Sequence, residues 1–458
     1  GFDVQKNRLI PLASLEIAST SISVTNIRSL EGCDERLYGL GVVGGTNRPA
    51  IYRNTSVTNP FGQGSQQNDY QATSGTVDFD VFVCYNDYLY GAETGGLWRY
   101  GPLSGTPTFT ESWQSVTATN IYANGIWHSK DDILYFAYDN KIASWDGSTF
   151  TAEALVLPDE VLISSIKEYK HYLAILTSDL QDPTLGDAAV YLWDRNSALT
   201  TVSDSFKIPQ FDARVLGVLE GRLIALGYSF DGNHARNQKL LVFEFDGLSF
   251  TKIFDKDDPV QTGAPVFRDK VFVTNDAIYY LGDMGFNNTN YFGLFKFNRI
   301  SSGPLALSLV HSLAGAQNLY GIFVRGYRLF FISYQNSAGN TELLQTTDEP
   351  LFTASSTYET INFGNNTHQN VLRSIGVSTE PIPTGGQIDI SYKFDDGAWV
   401  LATSSLTVGS MFTEITSNER DRVLFPQFTR AKFRLDSLGN ATTTGLRIKY
   451  EVLDNLKN

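Results

Sequence analysis

An all-β chain is the fold class this sequence predicts: a seven-bladed β-propeller followed by a small antiparallel β-sandwich. Three observations carry the prediction. A short phrase of polar residues, apolar strand, turn and second apolar strand returns with centres at Leu37, Leu89, Leu134, Leu173, Leu223, Ile278 and Leu329, a mean step of about 49 residues. That step suits one four-stranded blade per repeat. An aromatic residue recurs in the third strand of six repeats, at Tyr52, Trp98, Trp145, Trp193, Phe245 and Phe297. Beyond Leu344 the period stops, and from about Ser355 longer alternating strands replace it.

The third repeat sets the pattern of strands A to D. Tyr122–Trp127 reads as A, Ile133–Ala137 as B and Lys141–Trp145 as C, with Asp146-Gly147 turning into a D strand that begins at Thr149. An Asp-Gly pair between apolar runs is a strong hairpin signal. The fifth repeat copies it, with Asp246-Gly247 between Leu240–Phe245 and Phe250–Ile253. The third-strand aromatics are expected to wedge between neighbouring sheets, each contributing about 2–3 kcal/mol by burial. Residues 1–20 lack the period, and Leu9-Ile10-Pro11-Leu12 offers a strand to the last blade to close the ring. Domain bounds follow at 1–354 for the propeller and 355–458 for the sandwich. Alternation in 371–377, 387–393, 431–435 and 445–450 marks the latter.

Composition narrows the function. The 458 residues carry a formal charge of −14 and no basic run, which argues against nucleic-acid recognition. Aromatics reach 13% while charged residues are only 18%, the mix of close-packed sheets rather than disorder. No run of 18 apolar residues is present, so no membrane-spanning helix is expected, and the start shows no signal-peptide pattern. Cys33 and Cys84 lie near strands of the first and second repeats. Two buried free thiols are the plainer expectation and a disulfide is the other; a metal pair lacks its Cys-x-x-Cys spacing.

Catalytic signatures are missing. His128, His171, His234, His311 and His368 fall at unrelated positions without metal-ligand spacing, and no nucleophile elbow or phosphate loop occurs. Propeller glycosidases need carboxylates that converge on the axis. The inner-strand positions here read as Ala123, Asn124, Ile166, Val215, Gly217, Val266, Gly321 and Phe323, largely apolar. Asp395-Asp396-Gly397-Ala398-Trp399 is a fragment of a sialidase Asp box in the wrong domain, better read as a hairpin turn. No enzyme activity, cofactor or metal is expected.

The connections between B and C strands differ in length. That of the third repeat is short, Tyr138-Asp139-Asn140. Those of the fourth to seventh, Asp179–Ala189, Ser229–Gln238, Asp283–Tyr291 and Tyr334–Asn340, are long. They form a polar crown holding Asp182, Asp187, Asp231, Asn233, His234, Arg236, Asn287, Asn288, Asn290 and Tyr291, the candidate partner- or receptor-binding residues. Idle insertion is the competing account.

Three stretches resemble tail-associated virion proteins of tailed bacteriophages: Gly1–Asn7 with Ile22–Ile27, Trp98–Thr110, and Ile388–Lys393 through Gly445–Tyr450. The resemblance implies a non-enzymatic structural component of the tail or tail tip. Its implied partners are other virion proteins in several symmetric copies and a host-surface glycan or protein, and it implies assembly in the bacterial cytoplasm. The alternative is a secreted or surface propeller that binds or cleaves glycans.

Overall fold

The computed structural model describes residues 2–5, 8–11, 15–19, 24–33, 36–43, 48–54, 66–71, 82–93, 96–116, 126–128, 131–179, 187–196, 202–229, 239–257, 271–286, 289–299, 305–313, 318–325, 329–346, 355–360, 369–395, 397–402, 406–407, 412–416, 427–439, 441 and 443–453. Its regular elements are all strands. They group into two compact units, Glu16–Gly285 with Ala314–Thr346, and Gly1–Leu15 with Phe286–Leu313 and Thr347–Asn458.

The first unit is a β-propeller. The first five repeats each give a four-stranded antiparallel sheet: Val24–Cys33 to Gln66–Gln71, Phe82–Tyr85 to Thr108–Ser115, Ile126–His128 to Phe150–Val156, Val161–Tyr169 to Asp204–Ile208, and Phe211–Leu219 to Phe250–Asp257. The sixth repeat contributes the pair Val271–Val273 and Ile278–Phe286. The seventh runs Asn318–Arg325, Leu329–Gln335 and Thr341–Thr346, and its outer strand is Leu15–Ser19 from the opposite end of the chain. The closing strand is therefore Leu15–Ser19 and not Leu9–Leu12. Arg8–Pro11 instead pairs with Phe2–Gln5 and, through Leu9, with Thr443.

Neighbouring sheets are tied near their inner strands, and the ties run once round. A disulfide joins Cys33 to Cys84. The Tyr85 hydroxyl donates to the Asp132 carbonyl (2.6 Å), and the Ile163 N–H donates to that of Asp139 (2.8 Å). The Leu216 N–H donates to Ser165 Oγ (3.0 Å), and the Glu220 N–H to the Asn275 carbonyl (2.7 Å). Phe272 packs edge-on to Phe323 at 5.6 Å. The Ser333 hydroxyl returns to the Ile27 carbonyl (2.7 Å). Apolar layers fill the space between sheets, and the third-strand aromatics sit in them as the sequence predicts. Trp98 lies with Tyr38, Ile51 and Leu89, Trp193 with Ile142, Leu155 and Ile166, and Phe245 with Ala174, Leu192 and Leu223.

The predicted Asp-Gly turns are present. Asp146 Oδ1 accepts the N–H groups of Ser148 and Thr149, and Asp246 Oδ1 accepts those of Leu248 and Ser249, at 2.7–2.8 Å. Gly147 and Gly247 take the positive φ that such turns require.

The second unit has two sheets. One orders Phe2–Gln5, Arg8–Pro11, Thr443–Leu453, Gln369–Thr379 and Phe412–Thr416, with Gln427–Phe428 also on Gln369–Thr379. The other contains Thr289–Arg299, Leu305–Ser312, Ser355–Glu359, Ala431–Leu438, Gln387–Phe394 and Val400–Leu401. Leu372, Ile375 and Val377 of the first and Ile388, Ile390, Phe433 and Leu435 of the second share one core. Period-2 alternation explains this, since Ile388 and Ile390, and Ala431, Phe433 and Leu435, fall on alternate positions and are buried.

Candidate functional site

The first strands of the propeller sheets carry an interacting ionisable pair, Glu31 and Lys167. Six residues before each repeat centre stand Glu31, Val83, His128, Lys167, Gly217, Phe272 and Phe323, all on the first strands of their sheets. Glu31 pairs across its sheet with Tyr38 and Lys167 with Ala174, each one residue past the centre of its B strand. Glu31 and Lys167 thus share a level three repeats apart. Each keeps part of its surface open while protein surrounds it, as befits a side chain lining an axial channel. Burial lifts the Glu31 carboxyl to about 8, against the pull of the Lys167 ammonium. Burial likewise draws Lys167 down to about 8, opposed by Glu31 and Glu168.

Gly217 and Phe323 are read from sequence as inner-strand positions, but the fourth repeat is read one residue off, at Ile166, and the first repeat is given no inner position, so the pair is missed. Ile166 packs in the apolar layer between the third and fourth sheets. The axial residue is its neighbour Lys167. The constant offset from the repeat centres was the signal that could have found both members. Ala123, Asn124 and Val266 lie outside the described residues.

Cys33 and Cys84 form a disulfide, with Cα atoms 5.6 Å apart, in place of the two free thiols expected from sequence. Both residues lie on first strands, and those of the first and second sheets run side by side. A covalent link between the first and second sheets, within their shared apolar layer, is the local result.

The polar crown is described only in part. Asp182, Asp231, Asn233, His234, Arg236, Asn287 and Asn288 lie outside the described residues. Asp187 is exposed, and its Oδ1 accepts the Gln210 N–H at 3.4 Å, a contact within its own neighbourhood of turns. Asn290 and Tyr291 belong to the strand Thr289–Arg299. The supposed long loop Asp283–Tyr291 is corrected accordingly. Strand Ile278–Phe286 runs on to Phe286 and the next begins at Thr289, because alternating apolar residues continue through Tyr280, Met284 and Phe286. The connection between Leu329–Gln335 and Thr341–Thr346 is a turn in which the Asn336 N–H donates to the Asn340 carbonyl at 2.9 Å, and residues 180–186 and 230–238 of the other two lie outside the described residues.

The hairpin at Asp395 is also as expected. The Gly397 N–H donates to the Phe394 carbonyl, and Asp395 Oδ1 accepts from Thr429 N, Thr429 Oγ1 and Arg430 N at 2.5–3.1 Å. The Asp395 carboxyl is held low by these bonds despite its desolvation. No group of three or more potential metal ligands occurs among the described residues. No helix among them is long and apolar enough to cross a membrane.

No protein-family profile matches the chain, and no curated protein matches it. Solved structures do. One is a chain of an S. cerevisiae assembly of dbp5 bound to nup159 and gle1, at 11% identity and TM-score 0.42, covering 75% of this chain and 97% of that one. Another is an exo-β-1,3-galactanase from Phanerochaete chrysosporium with galactose, at 11% identity and TM-score 0.32, covering 95% and 100%. A third is a chain of a mitotic checkpoint complex, at 12% identity and TM-score 0.44, covering 74% and 95%. Likeness at this level transfers no activity.

Proposed function

We propose that the chain is a non-enzymatic structural component of a tailed-bacteriophage virion, with the propeller as a rigid platform and the C-terminal strands as a surface-binding module. The observation that supports it most is the axis. Among the described residues of the first strands, the two groups that act on each other are an acid and a base, Glu31 and Lys167, an arrangement other than the pair of carboxylates a glycosidase uses. A closed ring, covalently tied between the first and second sheets, suits a scaffold that bears load. The disulfide is compatible with a virion, whose working life is spent in an oxidising medium. Immunogold electron microscopy of purified particles tests the proposal. Label on the tail is expected, and unlabelled intact particles refute it.

One observation favours a second reading, a secreted or surface propeller acting on glycans. A carboxyl held protonated near neutral pH, as Glu31 is, is competent as a general acid. Hydrolysis of host polysaccharide by the purified chain, abolished by Glu31→Gln, would establish it in place of the first.

A further inference from the structure

In the second unit, the sheet that holds Gln387–Phe394 and Ala431–Leu438 buries one side in the shared core. Its other side carries a row of residues that the core does not explain. Asp389 stands directly opposite Asp436, and Ser391 opposite Arg434 and Leu401. Like charges placed directly across a strand pair disfavour the sheet. Here the Gln387 amide nitrogen donates to both Asp389 oxygens at 3.0 and 3.1 Å, and Arg434 Nε lies 2.7 Å from Asp436 Oδ2. The Arg434 guanidinium also sits over the Trp399 indole, 5.2 Å from the ring centroid. Beside it Leu401 is 57% exposed.

We propose that this face is a glycan-binding shelf, with Trp399 stacking on a sugar ring while Arg434, Asp436 and Asp389 hydrogen-bond its hydroxyls. The proposal deepens the reading of the C-terminal strands as a surface-binding module and rests on it. An aromatic plane with an apolar rim suits the C–H face of a pyranose. Asp436 Oδ1 also accepts from the Thr357 hydroxyl at 2.6 Å. Each carboxylate has about four lone-pair sites, so both acids keep acceptors for vicinal hydroxyls beyond these bonds. The guanidinium supplies donors in a fixed plane and is oriented by Asp436 and Trp399 before any ligand arrives. A phosphate backbone is a poor occupant, because two carboxylates face it. The described acids number too few for a metal cluster.

The test uses the full chain and an array of defined hexose and N-acetylhexosamine oligosaccharides, followed by titration of any bound glycan with tryptophan fluorescence. Saturable millimolar or tighter binding is expected. Trp399→Ala should weaken it about tenfold or more, Asp436→Asn several-fold, and Trp399→Phe, which keeps a ring, much less than Trp399→Ala. Leu248→Ala, on a propeller turn, should change nothing. Should Trp399→Ala fail to fold by its melting curve, Asp436→Asn and Trp399→Phe decide. No saturable binding by the parent chain, or variants that bind like it, overturns the shelf. Capture of another virion protein by the same face, without glycan, also overturns it. Gold label on particles in either case leaves the virion assignment standing, whereas unlabelled particles end that assignment whatever the array reads.

Discussion

At the scale of single residues, two glycines of different character separate packing from backbone strain. A Cβ at Gly91 would lie 2.0 Å from the Trp98 ring, which has no exposed surface and cannot move aside. Gly91→Ala is expected to cost about 3 kcal/mol through overpacking. Gly247, at φ +106, has nothing within 4 Å of such a Cβ. Gly247→Ala should cost about 1 kcal/mol through its dihedral alone. Urea unfolding of both variants checks the order, and equal costs contradict it. The axial pair gives a pH signature. Glu31 holds its proton more tightly folded than unfolded, so its contribution is full below 4.5 and lost as pH rises through about 8. Lys167 holds its proton less tightly folded, so its contribution is present above 10.5 and lost as pH falls through about 8. Together they place a local stability minimum near pH 8. Glu31→Gln should remove the descending limb between about pH 5 and 8 from the melting-temperature profile. A variant profile parallel to that of the parent would show that the carboxyl does not titrate in this way.

Single elements carry the closure of the propeller. The Cys33–Cys84 bond spans a sequence separation of 51. Chain entropy then assigns it about 4 kcal/mol. Cys33→Ala with Cys84→Ala should lose that amount in denaturant unfolding, and a thiol reductant should lower the parent's midpoint but not the variant's. The closing strand Leu15–Ser19 supplies the outer edge of the seventh sheet. Removing that strand leaves the edge of Thr341–Thr346 open to pairing with other chains. Deletion of Leu15–Ser19 is accordingly expected to lower the melting temperature and raise aggregation measured by light scattering; unchanged behaviour would mean the strand is dispensable. The repeat was legible in sequence because each hairpin declares itself locally, by Asp-Gly turns and alternating strands. The closing strand was not, because its partner lies at the far end of the chain and nothing local distinguishes Leu15–Ser19 from Leu9–Leu12. The disulfide was hidden likewise, since pairing depends on which first strands become neighbours.

For the whole molecule, the two units interleave along the chain. Residues 286–313 and 347–458 fall in one unit, with 314–346 of the other between them. Leu305–Ser312 pairs with Ser355–Glu359 through Leu307 with Glu359 and Ser308 with Tyr358. A chain ended after residue 354 leaves that strand paired only with Thr289–Arg299 and removes most of the second unit's core, so it should be insoluble or melt well below the full chain; a soluble fragment of unchanged melting temperature would contradict this. The all-β class was readable from period and composition alone, whereas the axial pair needed the repeats laid in register. The candidate crown stays a list of polar residues, because Asp187 is the one member whose side-chain contact is described. The closure also has a consequence in time. Leu15–Ser19 leaves the ribosome about 320 residues ahead of Thr341–Thr346, and at roughly 5–20 residues per second it waits some 15–65 s for its partner. Of the propeller strands described, the earliest in the chain is among the last to be used. During that interval an apolar ribbon and an unfinished ring coexist in the cell, and the nascent chain depends on whatever shields them until Thr341–Thr346 emerges.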